Sequence, residues 1–150
     1  MRSEKGFTLI ELLVVVCLLM ILSGLGIQTM HTYRSKAAYS VGESTLHSAR
    51  TALEAGLNNT DNPPPSIELF TQASQGPIAN AAAAALLPAM VMPKHVELQA
   101  SHDADCTEGA CMSDMIQAKA CQAEEYLRWV RFGDGIDIYM EHQPGGGCAG

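Results

Sequence analysis

Polar and apolar positions alternate in three different rhythms along the chain. From Phe7 to Ile27 the residues FTLIELLVVVCLLMILSGLGI are apolar almost without a break, and the one charge among them is Glu11. About 20 apolar residues in a helix suffice to cross a bilayer, so this stretch is predicted to enter a membrane. From Gln28 to Leu57 there is no proline, and Met30, Tyr33, Ala37, Val41, Leu46, Ala49, Leu53 and Leu57 recur mostly at steps of three to five. That spacing predicts one helix continuing from Phe7 to about Leu57, roughly 75 Å long at about 1.5 Å per residue. Only its first half can lie in lipid. Gly24 and Gly26 each cost about 1 kcal/mol relative to Ala in a helix, which makes the join between the halves the expected weak point.

Beyond Leu57 the rhythm breaks. The stretch Asn58 to Pro65 is rich in turn formers and ends in three prolines, so a linker is expected there. Ser66 is placed to cap a short helix through about Ser74, and Pro77 to open a second, alanine-rich helix that ends before Pro88. His95 to Ser101 alternates, with Val96, Leu98 and Ala100 on one face, and predicts a strand. The runs YLRWVRF and IDIYMEH flank Gly-Asp-Gly and predict a hairpin, although Gln117 to Val130 also fits helical spacing.

Charge sharpens the division. The chain of 150 residues carries a net charge of -7, and residues 61 to 150 hold twelve acidic and four basic side chains. An acidic outer part disfavours general binding to phosphate backbones, so no nucleic-acid partner is expected. Arg2, Lys5 and the α-amino group precede the apolar run, which puts the N-terminus on the cytoplasmic side and the remainder outside. A cleaved secretory signal near Gly24 and Gly26, a plain anchor and a lipoprotein site at Cys17 all compete as readings of the segment. Glu11 separates them. A carboxylate within a membrane helix costs about 2.5 to 3.5 kcal/mol and calls for a cationic partner. No Lys or Arg lies between Glu11 and Arg34. Cleavage just before Phe7 would create an α-amino group four residues away, and a neighbouring subunit's equivalent amine could neutralise the acid.

The stretch KGFTLIELLVVV resembles the class III signal sequence of type IV pilins and type II secretion pseudopilins. The resemblance covers about Lys5 to Leu22 and implies that a prepilin peptidase of the membrane cuts after Gly6. It further implies that Phe7 becomes the methylated first residue and that Glu11 directs assembly. Many major pilins have a proline soon after the apolar run, whereas the first proline here is Pro63.

Five cysteines are present, and the four beyond the apolar run suggest two disulfides in an oxidising compartment. If the hairpin centres on Asp134, Cys121 and Cys148 stand nearly opposite each other, which favours that pair and leaves Cys106 with Cys111. A zinc site combining His102 with these thiols is the competing reading, but the spacing is not that of a standard zinc ladder. Asp103, Asp105 and Glu108 share one loop without the calcium-loop pattern of an EF-hand, and are read as a solvated acidic loop. No nucleophile motif or phosphate loop is present, so no enzyme activity, metal or cofactor is expected.

The expected fold is therefore α+β: a leader at 1–6, an apolar helix at 7–27 and its amphipathic continuation at 28–60. A disulfide-closed head with a small antiparallel sheet follows at 61–150. By resemblance, the function is that of a structural subunit of an extracytoplasmic filament. Its partners would be copies of itself or related subunits, the prepilin peptidase and an inner-membrane assembly platform, with single-pass inner-membrane residence before assembly. The alternative is a minor pilin or pseudopilin of a secretion or DNA-uptake system, acting in initiation, adhesion or binding.

Overall fold

The computed structural model describes residues 8–59, 61, 63–123, 125–145 and 148. It contains a long helix α1 (Leu9–Leu57) and strands β1 (Ile67–Gln72) and β2 (Gly76–Pro77). These are followed by a one-turn helix α2 (Ala81–Leu86) and strands β3 (Val91–Met92), β4 (Val96–His102), β5 (Met112–Ala120), β6 (Glu125–Phe132) and β7 (Asp137–Pro144). The fold class is α+β. Two compact units are present, Met1–Arg34 and Ser35–Gly150.

In the first unit α1 is helical from Leu9 and passes through Gly24 and Gly26 without interruption. From Leu9 to Leu22 its large apolar side chains are exposed, by 42% at Val16 and up to 82% at Leu9. The helix is long and apolar enough to cross a membrane.

The second unit holds the remainder of α1 and the head. Leu46, Ala49 and Leu53 recur at steps of three and four and are at most 1% exposed, so this part of the helix buries one face. They join Phe70, Leu86, Leu98, Ile116, Leu127 and Trp129 in a single core. The helix ends where the Asn58 and Asn59 N–H groups reach back to the Glu54 and Gly56 carbonyls, ahead of the three prolines. Gly56 is required there. A Cβ at this position would lie 2.3 Å from the Leu86 carbonyl oxygen and 2.9 Å from that of Ala85.

The main sheet is antiparallel, in the order β1-β4-β5-β6-β7, and β2 pairs with β3 separately. Register places Ala100 opposite Ile116, Ile116 opposite Trp129 and Trp129 opposite Tyr139, so one continuous face of the sheet supplies the core. The edge strand β7 is fastened to α1 by side chains. Arg50 donates to Asp137 at 2.9 Å, His47 faces Tyr139 with ring centroids 6.0 Å apart, and Tyr39 stacks on His142 at 4.8 Å. The buried Trp129 ring lies under two guanidinium groups, Arg50 at 5.2 Å and Arg131 at 4.9 Å.

Three local expectations change. Ser66 does not cap a helix: 67–72 form β1, which buries Phe70 and Gln72 against β4, and pairing overrides local propensity. The Ser66 hydroxyl instead accepts the Ala104 N–H at 3.0 Å. Pro77 does not open the alanine helix either, since it pairs with Val91 in β2. Asn80 starts that helix, its Oδ1 accepting the Ala82 and Ala83 N–H groups at 2.9 and 3.1 Å. Finally, 117–120 and 125–130 are strand rather than helix, and β5 pairs on both sides, with β4 and β6.

Candidate functional site: the start of the long helix

Thr8 and Glu11 close the exposed end of α1 on each other. The Glu11 carboxylate accepts the Thr8 N–H and the Thr8 hydroxyl, both at 3.0 Å and both at Oε2, while the Glu11 N–H donates to Thr8 Oγ1 at 3.4 Å. This is a capping box, in which a Thr before the first turn and a Glu three residues later satisfy each other's backbone donors. The pattern T-x-x-E ahead of an apolar run carries that signal in the sequence, and the reading of Glu11 as a purely intermolecular group missed it. Thr8 is thus part of the site.

The arrangement solves only half of the problem of an acid in an apolar segment. Hydrogen bonds and the N-terminal end of the helix dipole stabilise a carboxylate, but they supply no counter-charge. Among the described residues Glu11 has no ion pair, and the hydrogen bonds of its carboxylate both come from Thr8. The helix itself offers no cation near this carboxylate, since no Lys or Arg lies between Glu11 and Arg34. Gly6 and Phe7, the expected cleavage position and new first residue, lie outside the described residues.

The other candidate chemistry is accounted for structurally. Cys106 is bonded to Cys111 and Cys121 to Cys148, so none of these sulfurs is available as a zinc thiolate. Cys17 is free and exposed on the apolar helix. His102 is buried, its Nδ1 lying 2.8 Å from Asp114 Oδ1, and Ser113 donates to the second oxygen of the same carboxylate at 3.1 Å. Asp103 accepts the Asp105 N–H at 3.1 Å within the acidic loop, and no group of three metal-binding side chains occurs among the described residues. Tyr39 and Tyr139 are both held above the ordinary phenol range, Tyr139 up to about 12, first by burial and then by nearby carboxylates that include Glu43 and Glu141.

Residues 1–27 match the family described as "Prokaryotic N-terminal methylation motif". The chain carries a prepilin-type N-terminus. Prepilin peptidase-dependent protein D of Escherichia coli (strain K12) is 44% identical over 54 residues, which cover 36% of this chain and 37% of that relative. The chain thus spans little over a third of the length of the curated relative it matches. No solved structure gives a match. The protein is pilin-like in the two respects on which such a comparison can rest: the N-terminal motif, and a long apolar helix followed by a small antiparallel sheet.

Proposed function

We propose that this pilin-like protein is a structural subunit of an extracytoplasmic filament. It waits in the inner membrane as a single-pass protein, is cut after Gly6 by a prepilin peptidase, is methylated at Phe7 and joins a filament through α1. The observation that carries this reading is the first half of α1, apolar and exposed on all sides with one carboxylate at its start. Such a surface is tolerated in lipid or against other apolar helices and nowhere else. Moving from bilayer to filament core exchanges one apolar environment for another, so helix packing offsets the loss of lipid contact. In the core the Glu11 carboxylate meets the Phe7 amine of a neighbouring subunit, which provides the missing counter-charge and sets axial register.

The test is electron microscopy of sheared surface filaments with peptide identification. This chain is expected as a main component, beginning at a methylated Phe7. Its presence in trace amounts would assign it instead to initiation or adhesion, and a mature start beyond Gly26 would contradict the reading.

A further inference from the structure

On α1 the flank next to β7 carries charge that the chain leaves unpaired. Lys36 is exposed, and Glu43 and Glu141 stand on α1 and β7. None of the three enters an ion pair among the described residues. The two carboxylates flank one junction: Glu43 lies one helical turn from both Tyr39 and His47 on α1, Glu141 adjoins His142 on β7, and across the junction Tyr39 stacks on His142 and His47 faces Tyr139. Lys36 and Glu43 are two helical turns apart, so they share a face and are separated by roughly 10 Å along the axis. Positive charge therefore comes first along this flank, and negative charge two turns later.

We infer that Lys36 of one subunit pairs with Glu43 and Glu141 of a second copy whose helix runs parallel and is displaced by about two turns. The inference rests on the filament reading, which supplies parallel helices stepped along one axis. A displacement of roughly 10 Å brings Lys36 of one copy level with Glu43 of the next. The two halves of the contact are different patches of the same chain, so the contact is heterologous and repeats without closing, as a fibre requires. Exposed pairs of this kind add little affinity and act mainly on register.

The experiment uses filaments grown from a mixture of isotopically light and heavy full-length subunits, treated with a water-soluble carbodiimide. This reagent joins a carboxylate to a touching amine as an amide, with loss of water. Peptides linking Lys36 of one copy to Glu43 or Glu141 of the other are expected, and Lys36→Arg should remove the links while filaments persist. Lys36→Glu should lower filament yield several-fold, and adding Glu43→Lys should restore it. Filaments in which Glu43 and Glu141 join Lys94 or Lys119 instead, or join no lysine of another copy, overturn this contact and leave the filament reading standing. Absence of the chain from all assembled material overturns the filament reading and this inference with it.

Discussion

Leu18 and Leu53 belong to one helix and meet opposite environments. Leu18 is 55% exposed in a stretch with no buried neighbour, whereas Leu53 is 1% exposed in the core of the head. The periodicity of the sequence already differs in the same sense. The first half is apolar on every face, so no single direction is marked as inside. The second half places Leu46, Ala49 and Leu53 on one face and Ser44, His47 and Ser48 on others, which defines a buried side within the molecule. One half of α1 is thus folded by its own chain, and the other keeps an apolar surface that, on the function proposed above, lipid or other subunits cover.

The difference can be broken most forcefully by truncating the two leucines. Leu53→Ala should lower the stability of the head by about 2 to 5 kcal/mol, the range for removing a buried leucine. Leu18→Ala should leave head stability unchanged. Chemical denaturation of full-length protein in detergent, followed through Trp129 fluorescence, measures both. Equal losses would remove the distinction between the halves.

A pair of glycines sharpens it further. By helix propensity alone, Gly→Ala gains about 1 kcal/mol at any interior helical position. At Gly24 nothing lies within 4 Å of the added methyl, so Gly24→Ala should raise helix stability. At Gly56 the methyl would meet backbone oxygens of Ala85 and Leu86, which have no flexible end to move aside. Overpacking of that kind costs about 1 to 3 kcal/mol, so Gly56→Ala should be net destabilising. The signs should be opposite, as read from helicity for Gly24 and from the unfolding midpoint for Gly56.

The smallest effect concerns pH and is confined to the head. Burial and nearby carboxylates raise the Tyr139 phenol to about 12, so folding favours its neutral form. A group whose folded pKa is raised contributes fully below its unfolded value, here about 10, and loses that contribution as pH rises from about 10 to 12. The melting temperature of the wild type should therefore fall more between about pH 8 and about pH 11 than that of Tyr139→Phe. Identical falls would show that Tyr139 does not report on the junction of β7 with α1.

How much of this was legible in the sequence follows from the same physics. The long helix could be read because proline is absent up to Pro63 and the apolar positions keep a helical period. The β6–β7 hairpin could be read from its Gly-Asp-Gly turn. Strand β5 was harder: Ile116, Ala118 and Ala120 do alternate with Gln117 and Lys119, but Ala120, Ala123, Leu127 and Val130 also keep a helical step, and the polar Asp114 and Gln117 are buried in the middle of the sheet. Ser66 and Pro77 misled because they match helix-start chemistry, while strand pairing and the Asn80 cap decide the outcome. At the site, Glu11 stood out as a lone charge, whereas Thr8 was overlooked although its spacing to Glu11 is that of a capping box.

The central claim is that the bare half of α1 works between molecules and that Glu11 is its register point. Glu11→Val tests it most directly. The change removes a charge that costs about 2.5 to 3.5 kcal/mol at mid-membrane, so insertion should be undiminished. It also removes the Thr8–Glu11 box, a loss of about 1 kcal/mol confined to the helix end. In a filament it leaves a neighbour's amine without its partner in an apolar core, and breaking a buried pair costs roughly 3 to 5 kcal/mol at every subunit added. The measurement compares membrane levels with sheared-filament levels for wild type and variant. Equal membrane levels and loss of the variant from filaments are expected, and normal filaments built from Glu11→Val would contradict a register role for Glu11.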